Sequence, residues 1–92
     1  MGDTLVVDEV KATTVLAPLY NVILFNDEGH DMVEVTAQII KAIHCTPQRA
    51  AGIMLEAHKN GRAVVITCSL ERAEHVEAIL AEIRLGTAIE LA

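Results

Sequence analysis

Asn26, Asp27 and Glu28 are three consecutive side chains that can do chemistry. They follow an apolar run, Tyr20–Phe25, and precede Gly29 and His30. A side-chain carbonyl beside two carboxylates is a cluster of hydrogen-bond acceptors. Such a cluster suits a cation, and the chain's net charge of −6 favours a positively charged partner such as an amine. The same residues also have a plainer reading, since Asn and Asp ahead of a Gly are ordinary turn chemistry.

Other reactive side chains form no recognisable constellation. His30, His44, His58 and His75 match no spacing of metal ligands. His58 alone reads as a histidine near a helix C-terminus, close to the last carbonyls. Cys45 and Cys68 form neither a CxxC pair nor a metal spacing and read as reduced core thiols. Neither they nor Ser69 has a base nearby in sequence, so no catalytic residue, metal or cofactor is expected.

Composition narrows the class further. Ninety-two residues make one domain, and 52% apolar residues are enough for its core. One Tyr and one Phe are a poor inventory for stacking bases, and the acidic balance opposes a phosphate backbone. Nucleic acid is therefore not an expected partner. No long apolar run predicts a membrane span, and no signal peptide is apparent, so the expected location is the cytoplasm or an organelle stroma.

The elements that must position the acceptor cluster follow from periodicity. Residues 1–19 lack a clear period and read as a flexible arm, or as a short strand at 4–7. The core domain is 20–92. Tyr20–Phe25 has little polar face, which predicts a strand that is central or covered on both sides. A helix is expected over 31–43, with Asp31 and Glu34 spaced as a capping box. Its apolar stripe is Val35, Ile39 and Ile43, with Thr36 and Ile40 beside it. Thr46 caps a second helix, 47–59, with Pro47 at its first position. Ala50, Ile53, Met54, Ala57 and His58 share a face. Asn60-Gly61 turns the chain into a strand at 63–68. Ser69 caps a third helix with Ala73, Val76, Ile79, Leu80 and Ile83 on its apolar side, ended by Gly86. Thr87–Leu91 is a last strand. The order β-α-α-β-α-β predicts an α+β two-layer domain: one small three-stranded antiparallel sheet carrying three helices.

Several stretches together resemble the ClpS family, the adaptors that deliver N-degron substrates to the Clp AAA+ protease. They are YNVILFND from Tyr20, Met32 and Val35, then MLEAHKNGRAVV from Met54 onward, and ERAE from Glu71 to Glu74. The resemblance covers 20–74 well. Two motifs carry it: ND directly after a YxVIL strand, and MLxxHxxG on the second helix.

The resemblance implies a fold similar to the C-terminal domain of the ribosomal stalk protein. It also implies a pocket for a free N-terminal residue. In that reading Asn26, Asp27, Glu28 and His58 contact the α-amino group, and Met32 gates the rim. Val35, Met54 and Ala57 line the space for a bulky side chain. Glu71 and Glu74 fall where the family docks on the N-terminal domain of its unfoldase. The chemistry is consistent with this. An α-amine has a pKa of about 8, is mostly protonated at neutral pH and needs acceptors. Met54 and His58 are four apart, so one helical face offers an apolar wall and a polar contact. Small Ala57 leaves volume, and Met adapts to several apolar shapes.

The chain also departs from the family pattern. Glu28 stands where a second Asp is usual, and His30-Asp31 replaces a Thr-Pro helix start. Val76 stands where a docking Lys is usual.

The expected function is a monomeric, non-enzymatic adaptor for proteins with a bulky apolar or aromatic first residue. Two alternatives stay open: a stalk-type docking domain without N-terminus recognition, and a small hydrolase.

Overall fold

The computed structural model describes residues 17–92. Most of the expected arm, including the alternative strand at 4–7, lies outside the described residues. The elements are β1 (Tyr20–Phe25), α1 (Met32–Ile43), α2 (Pro47–Asn60), β2 (Arg62–Cys68), α3 (Leu70–Ala81) and β3 (Thr87–Leu91).

β1 is the central strand, antiparallel to both neighbours in the order β2-β1-β3. This explains its lack of a polar face. Val22 and Leu24 point into the main core under the helices. Ile23 points to the opposite face yet is only 1% exposed. On that face Arg62 pairs in register with Phe25 and Glu90 with Asn21, leaving Ile23 between them. The Arg62 and Glu90 side chains meet at 2.6 Å across the strand, and the Arg62 guanidinium lies 5.8 Å from the Phe25 ring. An ion pair and a cation–π contact thus flank Ile23 on this face of the sheet.

A register shift between Val22 and Ile23 places an extra residue in β2. The shift flips the alternation of that strand, so Ala63, Val65 and Cys68 are all buried. The sheet continues one residue beyond β1 and β3, where the Ala92 N–H donates to the Leu19 carbonyl at 2.9 Å. That bond ties the residue before β1 to the end of β3.

The helices cover one face. α2 and α3 lie on the sheet, and α1 packs against both of them. α1 buries Val35, Ile39, Ala42 and Ile43. It also buries Gln38, whose amide donates to the Ile79 carbonyl at 2.6 Å and to Glu82 at 3.0 Å. Glu82 accepts from Lys41 at 2.7 Å as well, so polar contacts tie α1 to the end of α3.

Capping residues do what their types predict, with two corrections. Thr46 and Ser69 accept from the backbone N–H groups of Arg49 and Arg72 at 3.2 and 3.3 Å. Asp31 is the N-cap of α1 and not its first residue. It accepts from the Val33 N–H at 2.7 Å, and the reciprocal Glu34 bond of a capping box is absent among the described residues. The second correction concerns α3, which ends at Ala81, five residues before Gly86. Tight turns through Glu82 and Arg84 stop it, with Arg84 left-handed at φ 64°. Ile83 therefore lies in the turn and not on the helix.

Candidate functional site

Four chain segments meet where β1 ends. The backbone N–H of Phe25 donates to the Gly86 carbonyl at 3.0 Å, and that of Asn26 donates to the Gly61 carbonyl at 2.9 Å. These bonds hold the segment after β1 against the end of α2 and the start of β3. Gly61 is itself left-handed at φ 87°, and its N–H closes α2 on the Ala57 carbonyl at 2.9 Å. A glycine takes this conformation without steric cost. His58 sits in that last turn of α2, so the same bonds bring it beside Asn26.

The segments enclose a pocket of about 220 Å³. Leu24, Val35, Ala57 and Leu85 form its apolar interior, and each is nearly inaccessible. Met32 and Met54 stand at the rim, the first exposed and the second half-buried. Asn26, Asp27, Glu28 and His58 line the same pocket with polar atoms. All eight residues expected to contact a ligand are therefore brought together. An apolar cavity of ~150 Å³ holds a benzene molecule, so this volume fits one bulky side chain.

The charged side of the pocket is already organised. Asp27 accepts from the Gly29 N–H at 2.7 Å through Oδ1. Its Oδ2 lies 2.9 Å from His30 Nδ1. That nitrogen is shielded from solvent, and the Asp27 carboxylate is the charged group facing it. The His30 contact holds the Asp27 carboxyl below its ordinary value, against partial desolvation, and the Gly29 N–H adds to the effect. The same contact raises the His30 ring above its ordinary value, again against desolvation. The Ile83 carbonyl and the Glu34 carboxylate act on His30 in the same direction.

Reading the sequence missed four lining residues: Leu24, Phe25, His30 and Leu85. Leu24 and Phe25 were visible only as strand residues. Leu85 arrives from the far end of the chain, and no spacing rule links it to α1 or α2. His30 was visible as a change at the helix start, with its charged neighbour three residues earlier as the available signal.

Glu71 and Glu74 lie elsewhere. Both are exposed on the first turns of α3, where Glu71 borders a shallow depression with Ser69, Arg72 and His75. Val76 is 1% exposed in the core. Its side chain is packed inside and is not presented to a partner. Among the described residues no three His, Cys, Asp or Glu converge as a metal site, and no helix is long and apolar enough to cross a membrane.

Comparisons with known proteins place this geometry. A family model described as "ATP-dependent Clp protease adaptor protein ClpS" matches residues 16–84, past the limit at Glu74 visible from motifs. A ClpS adapter of Synechococcus elongatus is 35% identical over 89 residues, 96% of this chain and 94% of its own length. That of Gloeobacter violaceus is 50% identical over 58 residues, covering 62% of each chain. Among solved structures, ClpS2 of Agrobacterium tumefaciens bound to L-phenylalaninamide superposes with a TM-score of 0.77 at 25% identity. It covers 82% of this chain and 98% of that one. The strand order, the three helices and the sequence agree, and the chain belongs to the ClpS family of adaptors of the ATP-dependent Clp protease.

Proposed function

We propose that this chain binds proteins through a free N-terminal residue that is bulky and apolar or aromatic, and delivers them to a Clp-family AAA+ unfoldase. The carrying observation is convergence: acceptors from the β1–α1 turn and α2 share one pocket with the apolar side chains of α1 and α2. The α-ammonium group sits at the polar side against Asn26, Asp27, Glu28 and His58. The first side chain enters the space lined by Val35, Met54 and Ala57, past Met32. Charge-assisted hydrogen bonds are about twice as strong as neutral ones, which makes the free amine a requirement and not an accessory. The liganded Agrobacterium relative supports this reading, because an amino-acid amide presents the same free amine and side chain. The role is binding without turnover, in a cytoplasm or plastid stroma, and bacterial and chloroplastic relatives are consistent with it. The chain acts as a monomer, and Glu71 and Glu74 contact the unfoldase N-terminal domain.

A peptide panel tests the reading. Peptides beginning with Phe, Leu, Tyr or Trp should bind, and the same peptides acetylated at the amine should not. Equal binding of free and acetylated forms would exclude recognition of the N-terminus and leave a docking domain of stalk type.

A further inference from the structure

A second apolar surface adjoins the pocket. Val33, Thr36, Ala37 and Ile40 follow one another at helical spacing along α1, and with Met32 and Met54 they line an open groove of about 310 Å³. Met32 and Met54 belong to both the pocket and the groove, so the groove begins where the rim of the pocket ends.

Packing uses only part of this surface, since Ile40 and Met54 rest against the core. α1 meets the core through Val35, Ile39, Ala42 and Ile43, while Val33 is 75% exposed and Met32 48%. The one hydroxyl in the groove, that of Thr36, donates to the Met32 carbonyl at 2.8 Å within the helix. Its donor is therefore satisfied at home. Among the described residues no charged side chain lines the groove, on a chain of net charge −6. From Val33 to Ile40 the helix rises about 10 Å, which matches about three residues of extended chain.

We propose that this groove is a second subsite for the same ligand. It receives the residues that follow the first residue of a bound chain and selects apolar side chains there. The proposal rests on the pocket holding the first residue. With the amine at the acidic side and the first side chain inside, the remaining chain continues past the rim. The apolar surface continuous with that rim is the groove. The substrate class is thus a cationic N-terminus, one bulky residue, and an apolar residue among the next three. A charged side chain at those positions would lose water in the groove without gaining a partner.

Titration of the full chain with two kinds of ligand tests this. L-phenylalaninamide reports the pocket alone. Peptides beginning with Phe, and carrying Leu, Gln, Glu or Lys in turn at positions two, three and four, report the groove. Leu at one of these positions should bind about three- to tenfold tighter than Gln, as expected for half-burying an aliphatic side chain, with Glu and Lys no better than Gln. The double variant Val33→Gln, Ala37→Gln adds no charge at two exposed positions, and neither residue lines the pocket. It should reduce the Leu preference below about twofold and leave phenylalaninamide affinity unchanged. A flat panel with the amide still bound overturns the groove and spares the pocket. Loss of amide binding by the parent protein removes the pocket reading and the groove with it. A Leu preference that survives in the variant places its recognition elsewhere. Self-association that the variant abolishes, with no peptide preference, makes the groove a contact between copies and also overturns the proposal.

Discussion

The pocket and the first turns of α3 carry acidic side chains under opposite conditions. At the pocket, Asp27 is fixed by a backbone N–H and a histidine ring, beside apolar walls drawn from four segments. On α3, Glu71 and Glu74 are exposed and belong to a single element. The first arrangement holds acceptors at set positions around a small enclosed volume, as recognition of one amine and one side chain requires. The second offers charge on a rigid helix, which is enough for a surface that meets another surface. Enclosure raises the worth of each polar contact, and exposure lowers it. Variants at the two regions should therefore differ in size of effect and in which partner they affect.

The largest effect is expected from Asn26→Ala combined with Asp27→Ala. A hydrogen bond to a charged group contributes ~1.5–3 kcal/mol, so losing two should weaken peptide binding at least about a hundredfold. Fluorescence anisotropy with a labelled Phe-peptide measures it, and unfoldase binding should persist. His58→Ala removes one acceptor and should cost about ten- to a hundredfold in the same assay. Unchanged affinity in the His58 variant would assign the amine wholly to the β1–α1 turn.

Met32→Ala should change preference more than affinity. Met32 stands at the rim, where branching at the ligand Cβ adds bulk next to the amine. The parent should exclude peptides beginning with Ile or Val, and the variant should bind them within about tenfold of Leu. Identical panels for variant and parent would remove the gate role. Charge reversal at the other region, Glu71→Lys with Glu74→Lys, should weaken unfoldase binding about three- to tenfold and leave peptide binding intact, since exposed pairs are individually modest. Equal loss of both activities would join α3 to the pocket and end the contrast between the regions.

How far the sequence reveals these regions depends on whether neighbours in space are neighbours in the chain. β1, α1 and α2 were legible because their apolar periods and caps are local. Asp31, Thr46 and Ser69 each accept from a backbone N–H two or three residues ahead. The end of α3 was not legible. Ile83 continues the apolar spacing of the helix, while the stop comes from a left-handed Arg84, a residue type that does not announce that conformation. Gln38 is a polar residue on the buried face of α1, and its partners at Ile79 and Glu82 lie some forty positions away. In the pocket, the acceptors 26–28 were legible as a run. Met54 and His58 needed the family resemblance to be read beside them, and Leu85 needed the fold.

The smallest predicted effect lies inside the pocket and concerns His30. Its ordinary value is 6.5, and the Asp27 contact raises it. The stability it contributes is fully present below 6.5 and is lost as pH rises through the raised folded value. Asp27 has an ordinary value of 3.8 and is lowered, so its share is present above 3.8 and lost as pH falls through the lowered folded value. The pair therefore holds the turn most firmly between about 4 and 6.5, and thermal melting of the parent against His30→Ala should differ most in that window. Ligand binding has the opposite slope. While His30 is charged it competes with the incoming ammonium for Asp27, and Glu34 nearby helps keep it charged. As pH rises past the raised value, the competitor becomes neutral and the carboxylate is freed. The peptide amine stays mostly charged until about 8, so affinity should climb as pH rises from 6.5 toward 8. The climb should be about two- to threefold, since the pair is partly open to solvent and water screens it. His30→Ala should flatten it and raise affinity at pH 6 by the same factor. An identical climb in the variant would mean that the ammonium and His30 do not share Asp27, and that the amine rests on Asn26, Glu28 and His58.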